Sequence, residues 1–115
     1  MKPQHPLWEH INIHWTAASQ PNPGAIESAT QLLSLLKQRN RAFPTDSDRG
    51  YWPTVSFAWA DSDIELEVFD GSFELQVHPE TAQTKLFNVL EFDADSPEDL
   101  ETLLEMIERH TGEAL

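Results

Sequence analysis

The sequence of 115 residues contains no cysteine, only four glycines and only seven lysines and arginines. The absence of cysteine excludes disulfides, thiolate metal sites and cysteine nucleophiles, and it fits a reducing, cytoplasmic compartment. The glycines lie too far apart for a phosphate-cradling loop, and the motifs G-x-S-x-G and H-E-x-x-H are absent. No apolar run approaches the roughly 18 residues of a membrane span. We therefore expect a non-enzymatic protein without a cofactor, a metal or a membrane segment.

The acidic charge is concentrated in one half of the chain. The formal net charge is −13; residues 1–60 carry four acids and five bases, whereas residues 61–115 carry 16 acids and two bases. Nucleic acids and anionic lipids require a basic surface that displaces counterions from phosphates. We therefore expect no direct binding to nucleic acid or membrane.

The length suits a single domain over residues 1–115, and 39% apolar residues are enough for a core. Asn22 before Pro23 resembles a helix cap, and the helix-spaced stripe that follows predicts a helix over residues 23–40. Ser96 before Pro97 predicts a second helix over residues 97–110, ended by Gly112. The apolar stripes of the two helices are Ile26, Ala29, Leu32, Leu33 and Leu36, and Leu100, Leu103, Leu104 and Ile107.

A period of two predicts strands from Thr54 onward. Asp70-Gly71 predicts a tight hairpin turn of the primed type, which pairs Leu66 with Leu75 and Glu67 with Glu74. A fourth strand is expected over Leu86–Phe92, partly covered on each face, whereas Phe43–Pro53 is expected to be a loop. Alternation over Leu7–Trp15 predicts an optional N-terminal strand. The predicted fold is α+β: a four-stranded antiparallel meander with both helices on one face, in the order helix–β–β–β–β–helix.

The sheet face away from the helices holds the candidate site. Glu67 opposite Glu74 is a like-charge pair, which destabilises a sheet, so Glu67→Gln is expected to be neutral or slightly stabilising. Glu65, Glu67 and Glu74 allow three interpretations: a solvated face, recognition of a cationic partner, or acid–base chemistry with His78. Large aromatic residues are more numerous than a core of this size can use, and tryptophan and tyrosine favour interfaces; the set is Trp8, Trp15, Phe43, Tyr51, Trp52 and Phe69. The predicted partner-binding residues are Glu65, Glu67, Phe69, Glu74, His78, Tyr51 and Trp52.

The order of elements and the acidity resemble small bacterial immunity proteins and secretion chaperones, a likeness of architecture alone. The first hypothesis is an acidic module that inhibits or neutralises a basic partner protein, such as one that handles nucleic acid. It would act as an immunity protein, an inhibitor or a nucleic-acid mimic. The alternative is a dimeric chaperone or adaptor that uses apolar grooves, and a homodimer is left open.

Overall fold

The computed structural model describes residues 6–16, 18–50, 52–60, 62–77 and 88–111 of the chain. Within these residues a six-stranded sheet packs with two helices, which confirms the α+β class. A 3-10 turn at the N-terminal end precedes the first strand. The elements are the turn Pro6–Trp8, β1 Asn12–Ile13, α1 Pro23–Gln38, β2 Asp46–Arg49, β3 Val55–Ala58, β4 Ile64–Phe69, β5 Ser72–Val77, β6 Asn88–Asp93 and α2 Pro97–Thr111.

The strands lie in the sheet in their chain order, β1 to β6. β1 pairs with β2 in parallel, and every later pair is antiparallel. Parallel neighbours need a crossover connection, and α1 provides it. The predicted four-stranded meander is therefore wrong in extent, because β2 to β6 form a longer meander and β1 extends it.

β2 lies inside the segment Phe43–Pro53 that was predicted to be a loop. Its sequence, Asp-Ser-Asp-Arg, has no apolar residue and low strand propensity. Pairing with β3 places Ser47 opposite Phe57, where Ser47 is buried and its hydroxyl has no hydrogen-bond partner among the described residues. Pairing with β3 thus makes this segment a strand although its local strand propensity is low.

The optional N-terminal strand is present but is only two residues long, so the prediction of a strand over Leu7–Trp15 is wrong in extent. Trp8, Ile11 and Trp15 all point into the core. The predicted alternation had placed Trp8 on the face opposite Ile11 and Trp15. The 3-10 turn interrupts the alternation and brings Trp8 to the same side as Ile11 and Trp15. The Trp8 indole N–H donates to Thr30 Oγ1 at 2.9 Å.

The β4–β5 hairpin has the predicted register, with Leu66 opposite Leu75 and Glu67 opposite Glu74. Its turn is not of the primed type: Gly71 has a φ of 89°, but Asp70 does not have the positive φ that such a turn requires. The turn also packs on α1, where the Gly71 N–H donates to Ser28 Oγ at 3.0 Å. A side chain at Gly24 would collide with the Asp70 carboxylate.

Both helices begin where the sequence predicts. Asn22 Oδ1 accepts from the Gly24 N–H at 2.7 Å, and Ser96 Oγ accepts from the Asp99 N–H at 3.2 Å. α1 ends at Gln38, two residues before the predicted limit, because Asn40 adopts a φ of 56°. The predicted cap Gly112 lies outside the described residues.

One face of the sheet packs against both helices, as predicted. The β6 strand begins at Asn88, and residues 86–87 of the predicted Leu86–Phe92 strand lie outside the described residues. Val89 and Leu90 lie on opposite faces of β6 and are 45% and 37% exposed, which agrees with the partial cover expected on each face. The shared core consists mainly of Leu32, Leu33 and Leu36 of α1, Val55, Phe57, Leu66, Val68, Phe73 and Leu75 of the sheet, and Leu103, Leu104 and Ile107 of α2.

Candidate partner-binding surface

The face of the sheet away from the helices carries a row of carboxylates that crosses five strands. Each member of the row is paired with the next in the β-sheet register, and none is fully buried. Four of its five residues are acidic. This acidic row consists of Asp48, Ser56, Glu67, Glu74 and Glu91.

The neighbouring positions of the same face add three acids. Asp46 and Glu65 lie in the adjacent row, and Asp93 lies beside Ser72 at the end of β6. No lysine or arginine occupies an outward register position in the strands that the structure describes. We call the acidic row together with Asp46, Glu65 and Asp93 the acidic face.

Glu67 differs from Glu74 and Glu91 because its carboxylate accepts a hydrogen bond from the side chain of another residue. The hydroxyl of the buried Thr54 donates to Glu67 Oε2 at 2.6 Å. Gly50 lies close to both groups, and a side chain there would displace the Thr54 hydroxyl. The side chains of Glu74 and Glu91, by contrast, make no hydrogen bond or ion pair with any described residue.

This difference revises the expectation for Glu67→Gln. Relief of the repulsion between Glu67 and Glu74 is worth about 0.2–1 kcal/mol, but a hydrogen bond to a charged group is worth more than one to a neutral amide. We expect Glu67→Gln to lower the free energy of unfolding by up to about 1 kcal/mol, and Glu74→Gln to leave it unchanged or raise it slightly. Urea denaturation of both variants measures the two effects. Equal effects would contradict the role assigned to Thr54.

Two of the predicted aromatic residues flank the acidic face. Trp52 is 64% exposed, and it lines a groove of about 230 Å³ together with Phe69 and Asp70. Phe69 also lines a second groove of about 260 Å³ with Glu74 and Glu91. Phe69 therefore connects an exposed tryptophan to the carboxylates of the acidic row.

A third groove, of about 340 Å³, continues past the end of the hairpin. It is lined by Gly71, Glu91, Asp93 and Asp99, and it shares Glu91 with the second groove. Aromatic faces and carboxylates in one depression are the groups that bind guanidinium and ammonium ions. The arrangement suits basic side chains of a protein partner.

Not every predicted site residue lies on this surface. Glu65, Glu67, Phe69 and Glu74 share the acidic face, and Trp52 borders it. Tyr51 and His78 lie outside the described residues. The argument from surplus aromatics is wrong for Trp8 and Trp15, because both are buried and their rings meet at 5.8 Å between centroids.

Two acids of α2 form ion pairs with residues just after the end of α1. Arg39 pairs with Glu101, and Arg41 pairs with Glu108 at 2.9 Å. The hydrogen bond from Arg39 holds the pKa of Glu101 below its ordinary value. Asp99 Oδ2 accepts from the Asp93 N–H at 2.8 Å. Glu101 and Glu108 are therefore engaged in contacts within the protein, whereas Asp99 also lines the third groove.

Asp48 and Glu91 are the members of the acidic row that sequence reasoning missed. Asp48 lies in a segment that the sequence predicts to be a loop, because β2 has no apolar pattern. Glu91 belonged to a predicted strand, but the long β5–β6 connection does not fix a register in the way that a two-residue turn does. The alternation of polar and apolar residues within residues 88–93 is the sequence signal that would place Glu91 on the outward face.

Other features of the described residues point to no further chemistry. A cavity of about 610 Å³ lies between the N-terminal turn and α1, lined mainly by Leu7, His10, Lys37 and Phe43. His14 Nε2 contacts Asp46 Oδ1 at 3.1 Å, and this hydrogen bond holds the pKa of Asp46 below its ordinary value. Within the described ranges, no three histidine or acidic side chains are grouped to hold a metal ion. No helix among those residues is long and apolar enough to cross a membrane.

Comparison with known proteins adds no assignment to this geometry. The sequence matches no protein-family model, and no significant similarity is found to curated proteins or to solved structures.

Proposed function

We propose that this protein binds a basic surface on another protein through the acidic face and neutralises that partner. The observation that carries the proposal is the acidic row, in which Glu67, Glu74 and Glu91 stand side by side on three adjacent strands. Like charges in neighbouring strands cost stability. A partner that supplies positive charge offsets that cost.

The grooves beside the row support a specific contact beyond general attraction. Trp52 and Phe69 offer apolar and π surface next to Glu74 and Glu91. Arginine is favoured at the centre of protein interfaces, because its guanidinium forms two parallel hydrogen bonds to a carboxylate and stacks on aromatic rings. The acidic face therefore has the chemistry to receive arginine and lysine side chains.

The class of partner is inferred from the linear arrangement of the carboxylates on the sheet. Proteins that handle nucleic acids present basic grooves to phosphates, and the acidic row, with carboxylates on four of the five strands that it crosses, can occupy such a groove. The function supported best is that of an inhibitor, immunity protein or nucleic-acid mimic directed against a protein of this class.

The test is affinity capture on the immobilised full chain at low ionic strength, followed by elution with a salt gradient. We expect the captured proteins to be basic, to bind nucleic acid on their own, and to elute as salt screens charge. Partners that resist salt and leave only with detergent would contradict the proposal. That result would favour the alternative, a chaperone or adaptor that binds through apolar surface such as the cavity between the N-terminal turn and α1.

A further inference from the structure

The β6 strand forms one edge of the sheet among the described residues, and two of its residues direct their backbone groups outward without a partner in that part of the chain. The Asp93 N–H donates to Asp99 instead of to β5, whereas the Ala94 N–H donates to Gly71 of the hairpin. In an antiparallel ladder, alternate residues point their backbone groups to the same side. The N–H and C=O groups of Val89 and Glu91 therefore point away from β5, and neither residue makes a hydrogen bond outside the sheet to any described residue.

This edge lacks most of the usual protections against an added strand. Natural edge strands are commonly shielded by charged side chains, above all lysine, or by proline, a bulge or extreme shortness, and the charged residues of β6, Glu91 and Asp93, are both acidic. β6 has six residues without proline or lysine, and its register with β5 is continuous. Val89 and Leu90 are, with Trp52, the large apolar side chains that the described part of the chain leaves exposed.

The charges along the edge distinguish between possible occupants. Glu91 and Asp93 point to the acidic face, next to Glu74 and Ser72 of β5. A second copy of this chain would bring the same carboxylates, and its net charge of −13, to the same edge. A strand with basic side chains at alternate positions would instead place them beside Glu91 and Asp93, with its apolar residues beside Leu90.

We propose that an extended, basic segment of the partner protein adds to the sheet as a strand along β6. The added strand hydrogen-bonds to the open backbone groups of Val89 and Glu91. Main-chain bonds of this kind hold a peptide at a sheet edge while alternate side chains give selectivity. The inference rests on the proposed function, because the acidic face supplies the charge that selects the strand.

The test uses a short, terminally blocked peptide in which lysine alternates with valine or threonine. We expect binding to the wild-type chain, and we expect Val89→Pro to weaken it about tenfold, because proline removes a donor that the sheet itself does not use. Val89→Thr is the matched control, since it keeps the N–H and the branched shape. The control should bind within about threefold of the wild type.

A second measurement leaves the protein unchanged. Amide hydrogen exchange of the wild-type chain should show about tenfold slower exchange at Val89 and Glu91 once the peptide is bound. A peptide N-methylated at the positions that face β6 should bind about tenfold more weakly. These measurements decide the question even where Val89→Pro fails to fold.

Three outcomes would overturn the inference. If the peptide binds without protecting Val89 and Glu91, or fails to bind while basic folded proteins are captured, the edge is not used and the proposed function stands. If neither the peptide nor any basic protein binds, both proposals fall. If Val89 and Glu91 become protected as protein concentration rises without peptide, and sedimentation shows a dimer, a second copy occupies the edge.

Discussion

Trp8→Ala is expected to lower the free energy of unfolding by about 3–5 kcal/mol, the range for removing a large aromatic side chain from a core. Trp8 is fully buried, and its ring lies 5.4 Å from Phe57 and 5.8 Å from Trp15 between centroids. The substitution also leaves the Thr30 hydroxyl without the indole donor. Urea unfolding followed by circular dichroism measures the loss.

Trp52→Ala is the matched control, because the same atoms are removed from a side chain that is 64% exposed. Its expected cost is below about 1 kcal/mol, as for most surface substitutions. Similar losses for the two variants would mean that the N-terminal turn does not contribute Trp8 to the core. Trp52→Ala should instead weaken partner binding, since Trp52 borders the acidic face.

The burial of Trp8 could not be predicted from the sequence pattern. Alternation over Leu7–Trp15 is compatible with a strand, but a 3-10 turn and a two-residue strand bring Trp8, Ile11 and Trp15 to one side. The segment is too short for its period to distinguish the two conformations. Packing on α1 and β3 decides between them, and that packing is not a local property of the chain.

The hairpin of β4 and β5 could be predicted because its information is local. A two-residue turn fixes the register, and the alternating apolar residues agree with it. The same local evidence placed Glu67 opposite Glu74, which is the centre of the acidic row. β2 has no apolar pattern to mark it as a strand, and the long β5–β6 connection does not fix the register of β6, so Asp48 and Glu91 joined the row only in the structure.

The largest functional effect is expected from reversing charge on the acidic face. Glu65, Glu74 and Glu91 are changed together to lysine, and Glu67 is kept because Thr54 donates to it. These side chains point away from the core, so the fold should persist, as circular dichroism can verify. The association rate constant for a captured basic partner should fall by about ten- to a thousandfold, because repulsion replaces electrostatic steering.

A matched control variant separates the effect of a specific site from the effect of total charge. In this control, Glu27, Glu98 and Glu105 are changed together to lysine. The change in net charge is identical, and these three helix residues are exposed and make no side-chain hydrogen bond or ion pair with the described residues. Glu101 and Glu108 would be unsuitable, because they pair with Arg39 and Arg41. If the control slows association as much as the first variant, total charge governs binding and the acidic face is not a specific site. If neither variant slows association, the acidity serves solubility, and apolar surface must account for whatever partner the protein binds.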